Sequence, residues 1–148
     1  MSTHPVTIIL AEDDEGHAQL IQRSLKRVGF VNEVVHVQNG QEVLDYIFAQ
    51  GDFAGRVHAN RLLILLDINM PRMDGIETLR QLKARESTRS IPVVMLTTTD
   101  DPNEIERCYQ LGCGVYITKP VDGERFSEAI NKLGLFLQVV KVPPEHVV

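Results

Sequence analysis

The sequence predicts an α/β fold with a doubly wound, five-stranded parallel sheet flanked by five helices. Strand-like and helix-like patterns alternate five times along the 148 residues, which is typical of a parallel sheet covered by helices on both faces. Several strand patterns are apolar runs without polar alternation, most clearly residues 62–66, and such runs favour strands buried on both faces. The length suits one domain with a layered core.

The first two strand–helix units occupy residues 6–49. The apolar run Val6–Ala11 predicts the first strand, and Gly29 ends the helical pattern that follows. The apolar face of that helix is predicted to contain Leu20, Ile21, Leu25 and Val28. Val34–Val37 predicts a short second strand, which we expect at an edge of the sheet because His36 interrupts it. The second helix is expected over Gly40–Ala49, with Val43, Leu44, Ile47 and Phe48 at helical spacing.

The third unit follows the longest irregular stretch, residues 51–61, which is expected to be a surface loop. Leu62–Asp67 is the third predicted strand, and Asp74 is a suitable N-cap for the next helix. The inward residues of that helix are expected to be Ile76, Leu79 and Leu82. A polar loop over residues 85–90 then leads to the fourth strand, Val93–Thr97.

The last two helices flank the fifth predicted strand, Val115–Thr118. Asp101 and Pro102 form an N-cap and N1 pair, and Glu104 supplies the acid expected in a first helical turn. That helix is expected to end near Gly112. The final helix is predicted from Val121 to about Leu137, and its core side is expected to contain Phe126, Ile130, Leu133 and Leu137.

Composition and charge exclude several functional classes. The formal net charge of −5 argues against nucleic acid as a direct partner, because phosphate binding favours a basic surface. No apolar run approaches the roughly 20 residues needed to cross a bilayer, and the first residues lack the basic region of a signal peptide. Cys108 and Cys113 are too few for a disulfide scaffold, and they lack partners for a zinc site. We therefore expect a cytoplasmic protein with reduced thiols and no membrane partner.

Polar side chains stand where four of the predicted strands end. Glu12 and Asp13 follow the first strand, Asp67 ends the third, Thr97 ends the fourth and Lys119 follows the fifth. The carboxyl ends of parallel strands meet at one edge of the sheet, which is where such folds bind ligands. The sequence therefore predicts a site for a cation and a phosphoryl group at this edge.

These residue types suit phosphoryl chemistry. Clustered carboxylates repel one another, and Mg²⁺ held by carboxylates, a carbonyl and waters removes that cost. Asp67 is the best candidate nucleophile because it ends the most buried strand, and it could form an aspartyl phosphate. Lys119 would contact one phosphoryl oxygen as a point charge and Thr97 would donate a hydrogen bond to another.

Four motifs resemble the signature positions of the response-regulator receiver domain of two-component signalling. These motifs are Glu12-Asp13, the segment 66–75, Met95-Leu96-Thr97 and Lys119-Pro120. The resemblance covers residues 6 to about 137, and it implies the flavodoxin-like receiver fold. It also implies a histidine kinase as the phosphoryl donor, and a downstream protein or a further phosphorelay component as the recipient of the signal.

The resemblance assigns roles to individual residues. Asp67 matches the phosphoacceptor, while Glu12 and Asp13 match the metal-binding acids. Asn69 would offer its backbone carbonyl to the metal, and Lys119 matches the phosphate-binding lysine. The switch residues of the family correspond to Thr97 and Tyr116.

Two rival functions stay open at this point. Phosphatases that form an aspartyl phosphate have an Asp-x-Asp motif, whose second acid serves as general acid or base. This chain has Asn69 in the place of that second acid. A pseudo-receiver would be an interaction module that works without phosphorylation, although the acids, hydroxyl and lysine are all present here. Residues 12–14 could also be an acidic helix start favoured by the helix dipole, a role that suits Asp14.

The C-terminal region differs most from a minimal receiver. We divide the chain into a receiver domain, residues 1–137, and an extension, residues 138–148. Apolar residues beyond the core-facing stripe predict a homodimer through the last helix and the extension, in which Leu135–Val142 crosses to the partner. The alternative is a tail folded back on its own domain. The 51–61 loop and Gly134–Leu137 are similar to stand-alone receivers that work with phytochrome-type kinases.

Overall fold

A computed structural model describes residues 6–27, 33–56, 61–98 and 101–118 of the chain, and these residues form one parallel sheet with helices on both faces. The strands are β1 (Val6–Ala11), β2 (Val34–Val37), β3 (Arg61–Asp67), β4 (Val93–Thr97) and β5 (Val115–Thr118). The helices are α1 (Glu15–Arg27), α2 (Gly40–Ile47), α3 (Gly75–Ala84) and α4 (Pro102–Leu111), with a 3₁₀ helix at Gly51–Phe53.

The strand order is β2-β1-β3-β4-β5, and every neighbouring pair is parallel. This confirms the predicted five-stranded sheet and places β2 at an edge, as the polar His36 suggested. Four α-helices lie among the described residues. The predicted fifth helix, from Val121 to about Leu137, lies outside them, as does the extension at 138–148. Because all strands run the same way, their carboxyl ends share one edge.

Two apolar layers cover the sheet. On one face, β-strand residues pack against α2, α3 and α4 through side chains such as Val43, Leu79 and Cys108. On the other face, alternate strand residues pack against α1 through Ala18, Ile21 and Leu25. The β3 run of aliphatic residues contributes to both layers, which explains its lack of polar alternation.

The helix ends use the capping residues that the sequence indicated. Asp14 accepts a hydrogen bond from the His17 amide at 3.0 Å, and Asp74 accepts one from the Glu77 amide at 2.8 Å. Asp101 caps α4, and Gly112 ends that helix with φ of 105°, a left-handed conformation that glycine adopts without strain. Among the described helices, none is long and apolar enough to cross a bilayer.

Three details differ from the sequence prediction. Leu20 is 38% exposed, because one step along a helix turns a side chain by about 100°, away from the stripe of Ala18, Ile21 and Leu25. The second helix ends at Ile47, and Phe48 is its C-cap. The 51–61 stretch contains the 3₁₀ helix, whose Phe53 ring meets Tyr46 edge-on at 5.1 Å, and its last residue, Arg61, already belongs to β3.

Candidate metal and phosphoryl site

Glu12 and Asp13 follow β1 at the carboxyl edge of the sheet. The Glu12 amide donates to the Val37 carbonyl of β2 at 3.0 Å, so Glu12 is still tied to the sheet. Its buried carboxylate accepts a hydrogen bond from the Asp14 amide at 3.2 Å, and its Oε1 lies 3.9 Å from Nδ1 of His17. Asp13 is exposed. The pair therefore offers one buried, anchored carboxylate and one that is exposed to solvent.

Asp67 is the last residue of β3, the central strand, and only 6% of its surface is exposed. The chain returns to it at the start of α3, where the Gly75 amide donates to the Ile68 carbonyl at 2.8 Å. A Cβ atom on Gly75 would lie 2.8 Å from the Ile68 Cα and would also overlap the Asp67 carbonyl. Glycine is therefore required for α3 to begin directly beside Asp67.

The structure brings the carboxylates of Glu12, Asp13 and Asp67 together. One oxygen from each lies within 4.8 Å of the others. Three like charges at this spacing would repel one another strongly unless a cation compensated them. An all-oxygen donor set suits a hard divalent ion such as Mg²⁺ or Mn²⁺ better than zinc, which favours nitrogen and sulfur ligands. The residues present thus fit a divalent metal, and their metal binding stays a prediction.

Asn69 lies two residues beyond Asp67, in the loop that joins β3 to α3, and is exposed. This loop contains a γ-turn that sequence reasoning missed: the Met73 amide donates to the Pro71 carbonyl at 2.7 Å, and Arg72 between them has φ of 65°. The Asn69 carbonyl as a metal ligand stays a prediction.

Thr97 lies on β4, the strand next to that of Asp67, and Tyr116 lies on β5, one strand further from Asp67. In the sheet register, Asp67 stands opposite Leu96 of β4, and Thr97 follows as the last and fully buried residue of that strand. Tyr116 of β5 stands opposite Met95 and is half-buried against the layer beneath α2, α3 and α4. Lys119 lies outside the described residues, immediately after the end of β5. The switch and phosphate-binding roles stay predictions.

His36 is a residue near the site that sequence reasoning did not select. Its Nε2 lies 2.6 Å from the backbone carbonyl oxygen of Glu12. In the β1–β2 register His36 stands opposite Leu10, two residues before Glu12, so its ring reaches along the strands toward the carboxyl edge. The available signal was a single polar residue in a strand that otherwise contains only valine.

The two cysteines lie on the α4 side of the fold and not among the clustered acids. Both are buried free thiols, and the Cys113 amide donates to the Cys108 carbonyl at 3.1 Å. Burial raises the pKa of the Cys108 thiol, and it raises the pKa of Cys113 to about 11. Because the thiolate is the reactive form, neither cysteine is suited to nucleophilic or redox chemistry near neutral pH.

A family model for the response regulator receiver domain matches residues 8–131. The match includes all three clustered acids as well as Asn69, Thr97, Tyr116 and Lys119. The chain is also 33% identical over 143 residues to the response regulator Rcp1 of Synechocystis, and the alignment covers 96% of each protein.

Solved structures of receiver domains share the fold. A receiver domain from Rhodospirillum rubrum is 49% identical, with a TM-score of 0.84 and coverage of 95% of this chain and 99% of the other. The phosphorylated cyanobacterial phytochrome response regulator RcpA is 32% identical, with a TM-score of 0.84 and the same coverage. The Mn²⁺-bound form of Rcp1 is 29% identical, with a TM-score of 0.83 and coverage of 93% and 98%.

Proposed function

This chain belongs to the response regulator receiver domain family, and we propose that Asp67 is the residue that accepts the phosphoryl group in it. The observation that carries the proposal is the position of Asp67. It ends the central strand, and one of its carboxylate oxygens lies within 4.8 Å of oxygens from Glu12 and Asp13. A nearly buried carboxylate beside two further acids is a costly arrangement unless a cation compensates it, and a bound cation would also attract an anionic phosphoryl group to Asp67.

The proposed step is a transfer from a phosphohistidine of a histidine kinase. A carboxylate oxygen of Asp67 attacks phosphorus, the new O–P bond forms, and the P–N bond breaks. The imidazole nitrogen keeps the electron pair of the broken bond and takes a proton from solvent. Thr97 donates its hydroxyl hydrogen to one phosphoryl oxygen, and the Lys119 ammonium contacts another, so donors are spread over the oxygens that gain charge.

We propose Mg²⁺ as the physiological cation, held by the carboxylates of Glu12, Asp13 and Asp67 and by the Asn69 carbonyl. When bound, the ion would supply positive charge that offsets the three carboxylates and stabilises the charge of an incoming phosphoryl group. The all-oxygen donor set of the carboxylate cluster supports this choice. The Mn²⁺-bound structure of the relative Rcp1 also supports it, because Mn²⁺ commonly occupies the same kind of oxygen site.

The partner that supplies the phosphoryl group is proposed to be a phytochrome-type histidine kinase. The support is the similarity to RcpA, a phytochrome response regulator, and to a response regulator in red light signalling of R. palustris. The phosphorylated domain would then act through a downstream protein or pass the phosphoryl group to a further phosphorelay component. The net charge of −5 favours a protein as the target over nucleic acid.

The phosphatase alternative requires a general acid or base beside the aspartyl phosphate. Asn69 occupies the position two residues after Asp67, and its amide can neither take up nor release a proton at neutral pH. Rapid turnover is therefore disfavoured, and slow self-catalysed phosphorylation and dephosphorylation are expected instead. A pseudo-receiver without phosphorylation is disfavoured by the three converging carboxylates.

Incorporation of phosphate from labelled acetyl phosphate, followed over time with Mg²⁺ and with EDTA, separates the three functions. A receiver accumulates label on the protein only with Mg²⁺, and the label persists after the phosphodonor is removed. Rapid release of inorganic phosphate without accumulation would instead support the phosphatase. Absence of both label and turnover, with a folded protein, would support the pseudo-receiver.

A further inference from the structure

The backbone around Glu12 is bound to β2 in an unusual way. The β1–β2 pairing ends with Ala11 opposite Val37, after which Asn39 turns away to cap α2. The Glu12 amide is still bound by a backbone group, the Val37 carbonyl. The Glu12 carbonyl, in contrast, is bound by a side chain, because Nε2 of His36 lies only 2.6 Å from it.

The chemistry of this contact fixes the direction of the hydrogen bond. A carbonyl oxygen can only accept, so Nε2 of His36 must carry the hydrogen and donate it. Neutral imidazole with its hydrogen on Nε2 is sufficient, so the contact does not depend on a charged ring. The contact is short and the ring is half-buried, and hydrogen bonds are electrostatically stronger in such surroundings than in water.

The carbonyl in question belongs to the peptide that joins Glu12 to Asp13. The orientation of this peptide plane sets the direction in which the backbone continues into Asp13. Asp13 is the exposed member of the carboxylate cluster. Glu12 is anchored through its buried side chain and its amide, whereas among the described residues no such anchor is recorded for the exposed Asp13 side chain. The carbonyl contact and the hydrogen bond from the Asp14 amide to the Glu12 carboxylate therefore hold the backbone on the two sides of Asp13. Of the two, the carbonyl contact is the one made from a different strand.

We propose that His36 is a positioning residue for the metal site: by holding the Glu12 carbonyl, it orients the Glu12–Asp13 peptide and raises the affinity of the carboxylate cluster for a divalent cation. This inference rests on the proposed metal-binding role of the cluster. Supporting contacts of this kind raise metal affinity, because a ligand group that is already oriented loses less conformational freedom when the metal binds. His36 itself is not proposed as a metal ligand.

The test measures Mn²⁺ binding to the full chain by the electron paramagnetic resonance signal of free Mn²⁺, with no phosphodonor present. His36→Val removes the donor and suits a strand, and His36→Phe is a second donor-free variant that keeps a ring. His36→Gln keeps an N–H donor at a similar reach. Val35→Ala is the matched control, because Val35 lies on the same strand but packs against the opposite apolar layer.

We expect His36→Val and His36→Phe to bind Mn²⁺ roughly 10-fold more weakly than the wild type. This is the lower end of the loss in metal affinity that follows removal of a supporting contact. His36→Gln should recover most of the affinity, and Val35→Ala should bind as the wild type does even if it melts earlier. At saturating Mg²⁺, labelling by acetyl phosphate should reach the wild-type rate in every variant, since only metal affinity is altered.

Wild-type Mn²⁺ affinity in His36→Val would overturn the proposal, as would failure of His36→Gln to recover it or an equal loss in Val35→Ala. Asp13→Ala and Asp14→Ala separate this outcome from failure of the site itself. If the cluster binds metal, Asp13→Ala loses affinity and Asp14→Ala keeps most of it. If neither change matters, the proposed metal site fails and the role of His36 in it fails too. If the wild type binds Mn²⁺ but takes up no label from acetyl phosphate, only the proposed phosphorylation of this site fails.

Discussion

Arg72 is held in a backbone conformation that its own side chain does not favour. Its φ of 65° lies in the left-handed region, and it is the central residue of the γ-turn closed by Met73 and Pro71. The turn is fixed from outside, because the Gly40 amide donates to the Met73 carbonyl at 3.0 Å. Strain of this kind persists where the surrounding structure imposes it, often beside a functional site.

Arg72→Gly is therefore expected to stabilise the protein. Relief of the left-handed strain is offset in part by the larger freedom of glycine in the unfolded chain, which leaves a gain of about 0.5–1 kcal/mol in the free energy of unfolding. Arg89→Gly is the matched control, because Arg89 is an exposed loop residue outside the positive-φ region, and it should lose about 0.4–1 kcal/mol. Urea unfolding measures both, and an Arg72→Gly variant less stable than Arg89→Gly would contradict the strain.

Two neighbouring strands, β4 and β5, lie between Asp67 and the α4 side of the fold. Thr97 is fully buried at the end of β4, and Tyr116 stands on β5 opposite Met95. Movement of the Thr97 hydroxyl toward a phosphoryl group would open space that Tyr116 can enter. A local change of charge would then alter the face formed by α4, β5 and the predicted last helix.

Thr97→Ala should still be phosphorylated but should not pass the signal on. The Tyr116 ring resonance, followed by nuclear magnetic resonance on adding beryllofluoride, is expected to shift in the wild type and to stay nearly unchanged in Thr97→Ala. Thr88→Ala serves as the control, since Thr88 is also buried but donates to the Leu82 carbonyl before β4 begins. A full Tyr116 response in Thr97→Ala would remove this coupling.

The strands and helix caps were predictable because each depends on local chemistry. Apolar runs such as 62–66 specify buried strands, and Asp74, Asp101 and Gly112 act on backbone groups within a few residues. The convergence of Glu12, Asp13 and Asp67 also followed, because parallel strands share a carboxyl edge. The His36 contact and the γ-turn at Arg72 could not be foreseen. They depend on β1–β2 register and on packing of α2 against the β3–α3 loop, which a single sequence does not specify.

The whole protein is predicted to form a homodimer through its C-terminal region, which lies outside the described residues. The apolar residues proposed to cross to the partner are Leu135, Phe136, Val139, Val140 and Val142. Each such side chain stabilises the assembly by roughly 1.5–3 kcal/mol when buried, enough together to sustain a dimer after the cost of association.

Truncation after Gly134 tests this arrangement by light scattering on the unphosphorylated protein. The full chain is expected to run as a dimer and the truncated chain as a monomer. A full chain that stays monomeric at tens of micromolar would support the alternative, a tail folded back on its own domain. A truncated chain that stays dimeric would place the interface elsewhere.

Phosphate incorporation into Asp67→Asn tests whether the carboxylate of Asp67 receives the phosphoryl group. The substitution is nearly isosteric, and Asp74→Asn is the matched control because Asp74 lies on the same β3–α3 connection and asparagine also caps helices well. With labelled acetyl phosphate and Mg²⁺, the wild type and Asp74→Asn should be labelled at similar rates, whereas Asp67→Asn should remain unlabelled. Labelling of folded Asp67→Asn at the wild-type rate would show that a residue other than Asp67 accepts the phosphoryl group.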